Sequence, residues 1–247
     1  MRTTAIILIL LIFSLNSFSQ CLEQNKISYG GNWNNYNYTY FCPIYTFSFG
    51  GDTSKTWNIL NPIDINKISS QILPIKKEVE RQILSYSGKE FLQDLNFLSV
   101  EIVYPDSINK FSCRRPQYNI DRCKAKYFFY YNYSPIENAN YHIGIALNDS
   151  LEIVNELILP SKKEFRQIDK ELTICKLINL SKRYKNQIEP IEKIKFEYDV
   201  KTKRFVWILS QGLIDKKEGI NKYNEMIINA SDSEKIEFRV SNVIITY

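Results

Sequence analysis

The sequence predicts an α+β protein with two tandem modules, each a helix packed on an antiparallel sheet. Two observations lead to this fold class. Many short segments alternate between apolar and polar residues, as strands do, and two longer segments carry apolar residues at helical spacing. The order of elements is the same in both halves, one helix and then four strands. We therefore expect modules at residues 67–160 and 161–247, after an aromatic-rich N-terminal extension at residues 20–66.

Residues 20–66 contain aromatic residues in alternation, which predicts strands around 36–40 and 45–49 with a turn at 50–52. In the first module, apolar spacing predicts a helix from 75 to 96, with a break at a capping-box pattern at residues 87–90. Four strands should follow, and residues 148–150 form the turn between the last two. The expected strands are 97–104, 124–133, 141–147 and 151–159.

The second module begins with another capping-box pattern at residues 161–164. Phe165, Ile168, Leu172 and Cys175 follow at helical spacing, which predicts that this helix starts near residue 161. Turns are expected at residues 200–203 and 231–233. The expected strands are 194–200, 204–210, 225–229 and 235–245.

Short matches in the same order suggest that the two halves arose by duplication. Residues 81–83 match 166–168, residues 124–128 match 201–205, and residues 149–153 match 232–236. On this hypothesis Asp149 and Asp232 occupy equivalent hairpin tips. A carboxylate in a turn bonds its own backbone, which explains both residues without catalysis.

The N-terminus has the features of a secretory signal peptide at residues 1–19. A basic start is followed by an apolar run at residues 5–13, with small residues at Ser17 and Ser19. The run is shorter than the roughly 20 residues that cross a bilayer, and no later segment is apolar enough to cross. We therefore expect cleavage after Ser19 and export to the periplasm or the medium. Lipid anchoring at Cys21 is the less favoured alternative, because Gln20 stands where a small residue is preferred.

Export permits disulfides, and the chain has five cysteines. Cys113 and Cys123 bracket a polar segment within a predicted insertion at residues 105–123, which suggests a small bridged loop. Cys21 and Cys42 are the second candidate pair. Cys175 lies in the apolar helical stripe and is expected to be a buried thiol. The spacing alone leaves the connectivity open.

Composition excludes several classes of function. The 247 residues include 32 Lys and Arg against 27 Asp and Glu, and a net charge of +5 is too small to indicate nucleic-acid binding. The single histidine, His142, excludes metal sites that need two imidazoles. A His142–Cys175 nucleophilic dyad is conceivable, but no family signature surrounds either residue. We expect no metal, no cofactor and no catalytic residues.

The abundance of aromatic residues, 17 Tyr, 14 Phe and 3 Trp, is the most unusual feature of the composition. Residues 127–131 are all aromatic, so as a strand they must point to both faces of a sheet. Internal packing is one explanation. The other is a contact surface for a protein or a sugar, for which Tyr127, Tyr131 and Trp207 are the candidates.

The second half resembles the PepSY-like and cystatin-like group of small exported bacterial modules. The resemblance rests on residues 195–198 (KFEY), 205–209 (FVWIL) and the hairpin at 226–233, in which Ser233 takes the position of the usual glycine. It covers roughly residues 161–245 and, through the duplication, extends to 67–160. It implies a helix on a four-stranded antiparallel sheet and a non-catalytic role, since some relatives act as protease propeptides or inhibitors. It transfers no functional residues.

The sequence therefore favours an exported, non-catalytic binding or inhibitory module of the bacterial cell envelope. Its expected partner is another envelope or extracellular protein. Two alternatives remain open: a secreted hydrolase with an unrecognised site, and a carbohydrate-binding protein with an aromatic surface. The identity of the partner and the oligomeric state do not follow from the sequence.

Overall fold

The computed structural model of the protein describes residues 24–32, 44–49, 63–103, 125–211 and 220–244. The predicted signal peptide lies outside these residues. So do Cys21, Cys42, Cys113 and Cys123, and with them both predicted disulfides. The fifth cysteine, Cys175, is a free thiol.

The described residues form a mixed α+β fold, which confirms the predicted class. The helices are α1 (Ser69–Ser87), α2 (Lys89–Gln93), α3 (Ile174–Ser181) and α4 (Lys185–Ile188). The first strands are β1 (Ile27–Ser28), β2 (Gly30–Asn32), β3 (Ile44–Ser48), β4 (Ile63–Asp64), β5 (Leu95–Val103), β6 (Tyr127–Tyr133) and β7 (Tyr141–Leu147). The remaining strands are β8 (Ile191–Asp199), β9 (Arg204–Gln211), β10 (Ile220–Asn229) and β11 (Asp232–Ile244).

The strands form two sheets. The N-terminal sheet has the order β2-β7-β6-β5-β3-β4, and the C-terminal sheet has the order β1-β8-β9-β10-β11. Strands β5 to β7 form an antiparallel meander in the first sheet, and β8 to β11 form one in the second. The short strands β1 and β2 add to the edges in parallel, β1 beside β8 and β2 beside β7.

A single N-terminal segment joins the two sheets. Ile27 is opposite Ile194 of β8, and three residues later Gly30 is opposite Tyr141 of β7. Gly30 fits only because it has no side chain, since a Cβ atom there would lie 1.8 Å from the backbone oxygen of Phe196. Residues predicted as a separate extension therefore supply edge strands to both sheets.

The first predicted module departs from the expected four strands. It supplies β5, β6 and β7, but residues 151–159 form only an isolated bridge between Ile153 and Leu147. The side chain of Asn155 explains the difference, because it accepts from the backbone N–H of Ala146 and donates to the carbonyl of Gly144. A side chain thus takes bonds that a fourth strand would make. The predicted fourth strand at residues 151–159 is therefore wrong.

The predicted helix at residues 75–96 is α1 followed by α2. The expected break is present at Gly88, whose φ of 95° is readily adopted only by glycine. The capping box does not form, because Gly88 is the N-cap and makes no side-chain bond. Val79 and Ile83 of α1 are buried against the sheets, as the apolar spacing predicts, and Ile72, before the predicted start of the helix, is buried with them.

The second helix is shorter than predicted. Glu164 accepts from the N–H of Ser161, which is half of the expected capping box, but the helix α3 starts only at Ile174. Tertiary contacts take the intervening backbone bonds, since the N–H of Asp169 donates to the carbonyl of Ala230 at 2.8 Å. The four strands that follow α3 and the turn at residues 200–203 agree with the prediction.

One hydrophobic core serves both sheets. It contains buried residues of α1, of β5 to β7, of α3 and of β8 to β10. Phe205 of β9 lies where the two halves meet, with its ring centre 4.8 Å from that of Tyr133 and 5.4 Å from that of Tyr141. The two halves are therefore packed directly on each other through aromatic rings.

Candidate functional site

The structure places two of the three candidate contact residues in the core. Tyr131 and Trp207 are fully buried, so neither lies on a contact surface, and this corrects the prediction. Tyr127 is half-buried. Tyr131 faces the shared core because side chains alternate along β6, while Phe128, three residues earlier, points to the other face and packs on Val103 and Ala146. The aromatic run is thus used for packing on both faces of the sheet.

The aromatic cluster around Phe205 has no acid–base chemistry near neutral pH. Burial raises the pKa of the Tyr133 and Tyr141 hydroxyls above their ordinary value, and it raises the pKa of Tyr198 to about 12. The Tyr141 hydroxyl donates to the carbonyl of Ile158 at 2.9 Å. These rings therefore remain neutral and serve to join the two sheets.

The structure does not bring His142 and Cys175 together. His142 lies on β7 between Tyr141 and Ile143, which both face the shared core. Alternation turns the imidazole to the opposite face, where its ring centre is 5.3 Å from that of Tyr29. Cys175 belongs to α3, which packs into the shared core through Leu177. Burial lowers the pKa of the His142 imidazole below its ordinary value of 6.5, so the ring is neutral at pH 7.

The outer face of the C-terminal sheet contains a feature that the sequence analysis missed. Two adjoining hollows of about 410 and 310 Å³ share Val206, Ile227 and Arg239 among their lining residues, and the larger one extends to Gly31 and Tyr141 of the N-terminal half. We call the two hollows together the outer groove. Its floor is aliphatic, formed by Val206, Ile208 and Ile227. A hollow with apolar residues at its base and polar residues at its border is typical of binding sites.

Strand alternation positions the floor. In β9, Phe205, Trp207 and Leu209 point into the core, so Val206 and Ile208 point outward. Ile227 of β10 lies directly opposite Ile208, and both are on the outward face. The only sequence signal for the groove was that β9 is apolar on both faces, a pattern usually read as a strand covered on both sides.

Charged residues of both signs border the floor. The basic residues are Lys201, Arg204, Lys235 and Arg239, and the acidic residues are Glu197, Asp199 and Glu237. Lys195 and Glu197 form an ion pair along β8. Lys235 pairs with Asp232 at 2.6 Å. The groove therefore offers an apolar floor with fixed positive and negative groups at its margins.

A polar cluster lies beside the groove on the same face. The carboxylate of Glu225 accepts from Arg239 Nε at 2.6 Å and from the hydroxyl of Ser241, and Ser210 Oγ is 3.5 Å from its other oxygen. A carboxylate held by a guanidinium is a weak base, and the contact to Ser210 is long. This arrangement favours a structural ion pair over activation of a serine nucleophile.

Comparison of the chain with known proteins found no match among protein-family models, curated proteins or solved structures. Within the described ranges, no group of three or more His, Cys, Asp or Glu side chains could hold a metal ion. Of the helices in the described part of the chain, none is both long and apolar enough to cross a membrane.

Proposed function

We propose that the protein is an exported, non-catalytic binding module of the bacterial cell envelope that holds a segment of another protein in the outer groove. The observation that carries the proposal is the aliphatic floor of Val206, Ile208 and Ile227, which lies at the base of a hollow with charged margins. An extended peptide can place an aliphatic side chain on such a floor and pair its charges at the sides. The partner is then another envelope or extracellular protein.

The shape and charge of the groove define the partner segment further. The larger hollow of about 410 Å³ has room for a few side chains, which is within the size range of ligand sites. Lys201 and Arg204 line one end of the groove. We therefore expect an extended segment with aliphatic side chains and an acidic residue next to them.

The arrangement of the C-terminal half supports a non-catalytic role. The helix α3 and the meander β8 to β11 have the element order that the resemblance to PepSY-like and cystatin-like modules implies. In that group, some members act as protease propeptides or inhibitors. Inhibition of an extracellular or envelope protease is therefore the form of binding that we favour.

The two alternatives have less support. A hydrolase needs an activated nucleophile, whereas Glu225 beside Ser210 is already paired with Arg239. A carbohydrate-binding surface needs exposed aromatic rings for stacking, whereas Tyr131 and Trp207 are buried.

The test is selection of peptides from a displayed library on the protein purified from its native host. Peptides that are enriched should be rich in aliphatic and acidic residues. The variant Ile227→Lys should weaken their binding by about tenfold or more, because a charge then occupies the floor. Leu84→Lys is the matched control, since Leu84 is an exposed apolar residue of α1, away from the groove.

Binding is measured by fluorescence anisotropy with labelled peptides. Equal affinity for the wild type and for Ile227→Lys would contradict the groove as the site. Turnover of an ester, peptide or glycoside substrate that is lost in Ser210→Ala would contradict the non-catalytic role.

A further inference from the structure

Strand β11 is the longest strand of the described residues and lies at the edge of the C-terminal sheet. It spans 13 residues, Asp232–Ile244, and within the described part of the chain it has a neighbouring strand only on its β10 side. Phe238 and Val240 on it are 41% and 60% exposed. An edge of this length presents a row of backbone groups that can pair with another strand.

The residues of β11 are complementary to themselves in the antiparallel direction. If two copies of β11 pair about an axis at Phe238, each Glu237 lies opposite the Arg239 of the other copy. On the alternate face, Ile236 lies opposite Val240, and Phe238 lies opposite Phe238. Opposite charges and apolar pairs are the combinations that stabilise antiparallel strands.

Neighbouring registers lack this complementarity. An axis at residue 237 places Glu237 opposite Glu237 and Lys235 opposite Arg239, and an axis at residue 239 places Arg239 opposite Arg239. Phe238 is also the midpoint of the strand, so the axis there pairs β11 along its whole length. Charge and strand length therefore select the same register.

The surroundings of Phe238 suit an interface. Its ring packs on Tyr184, with 5.3 Å between the ring centres, so it has a fixed position at the edge of the core. A partner ring placed opposite it would cover apolar surface that water now contacts. A two-fold axis here gives an isologous contact, the commonest kind in homodimers.

We propose that two copies of the chain associate through antiparallel pairing of β11, centred on Phe238. The two C-terminal sheets then form one continuous ten-stranded sheet, with the outer grooves of both copies on the same face. The pairing rests on the exposed edge of β11 and not on the groove ligand, although Glu237 and Arg239 also border the groove.

The test uses two charge reversals that repel in the homodimer and attract when mixed. Glu237→Arg places two basic residues opposite each other, and Arg239→Glu places two acidic residues opposite each other. Each should raise the dimer dissociation constant by about tenfold or more, because opposed like charges destabilise the pairing. An equimolar mixture should restore the dimer, since each reversed charge then meets its opposite.

Association is measured by sedimentation velocity on protein from the native host, with Glu171→Arg as the control because Glu171 is exposed and lies outside β11. A wild-type chain that remains monomeric at high concentration would overturn the proposal. So would a dimer that Glu237→Arg leaves intact, or one that mixing does not restore.

A second measurement does not depend on Arg239, which also pairs with Glu225. In Phe238→Cys the two introduced thiols should lie directly opposite each other, at about 4.5–5.5 Å between Cβ atoms, and form an intermolecular disulfide. Val240→Cys is the matched control, because residue 240 faces residue 236 of the other copy. Equal cross-linking of the two variants, mapped by peptide mass analysis, would contradict the register.

Discussion

The N-terminal and C-terminal sheets differ in what lies over their outer faces. On the N-terminal sheet, Phe128, Ala146 and Val103 are buried in a second small cluster, and Asn155 binds the backbone of β7. On the C-terminal sheet, Val206 and Ile227 line a groove between charged side chains. Both sheets contain an antiparallel meander of strands that alternate between two faces. What differs is whether other residues cover the outer face: a covered face is a packing surface, and an uncovered one is a candidate binding surface.

The two outer faces differ in residue type. The outward positions of β7 and β6 include Gly144, Ala146 and Phe128, which pack closely and need no contact with water. The outward positions at the margins of the C-terminal sheet include Lys195, Glu197 and Arg239, which must keep their charged ends hydrated or paired. Their apolar stems cover part of the floor, which explains why Val206 and Ile208 are only 6% and 8% exposed.

The largest expected effect comes from introducing a charge on each outer face. Ala146→Lys should reduce the free energy of unfolding by about 3–5 kcal/mol, because a long charged side chain would be enclosed in a packed site. Ile227→Lys should cost only about 1 kcal/mol, because its stem can lie on the groove floor while the ammonium reaches water. Urea unfolding measures both.

Similar losses for the two variants would mean that the C-terminal outer face is as closed as the N-terminal one. Leu84→Lys serves as the control for a charge at an exposed apolar position, and there the expected change is within about 0.5 kcal/mol.

A smaller effect should follow from removing the side chain that covers β7. Asn155→Ala should reduce the free energy of unfolding by about 1–3 kcal/mol, because the N–H of Ala146 and the carbonyl of Gly144 lose their bonds to it. Asn179→Ala is the matched control, since Asn179 is exposed and its amide oxygen accepts from the Lys182 ammonium at 3.1 Å on the surface. If Asn155→Ala is as stable as this control, water replaces the amide and this edge of the sheet is open.

Much of the fold could be predicted from local patterns. The four strands of the C-terminal meander and the break at Gly88 agree with the sequence, because alternation and a residue with positive φ are local signals. The irregular segments at residues 151–159 and 161–173 could not be predicted in this way. In the first segment the Asn155 side chain bonds the backbone of β7, and in the second the N–H of Asp169 donates to the carbonyl of Ala230. No local pattern contains either contact.

The candidate site was less predictable than the fold. Trp207 and Val206 are neighbours in an apolar strand, and the sequence does not say which of the two faces the core. The large aromatic residue was predicted as the contact residue, but burying its ring removes more apolar surface from water, so it faces inward and the smaller valine faces outward. The role of Arg239 could not be predicted from the sequence, because its partner Glu225 lies 14 residues away in the chain. The two residues meet only through the register of the β10–β11 hairpin.

The smallest expected effect is a pH dependence confined to the N-terminal sheet. Burial lowers the pKa of His142 below its ordinary value of 6.5, so on acidification the unfolded chain binds this proton before the folded chain does. The contribution of His142 to stability should therefore be constant well above pH 6.5 and be lost as the pH falls below about 6.5. His142→Gln should flatten this part of the profile, measured by urea unfolding at each pH. A second group titrates at lower pH, because hydrogen bonds from Lys203 and Ser161 hold the pKa of Glu164 at about 2, below its ordinary value of 4.5. The contribution of Glu164 to stability is therefore lost only as the pH falls from 4.5 towards 2. In that range the wild type and His142→Gln should lose stability in parallel. An unchanged slope near pH 6 in His142→Gln would mean that water already reaches the imidazole, and that the outer face of the N-terminal sheet is open at its β7 edge as the C-terminal one is.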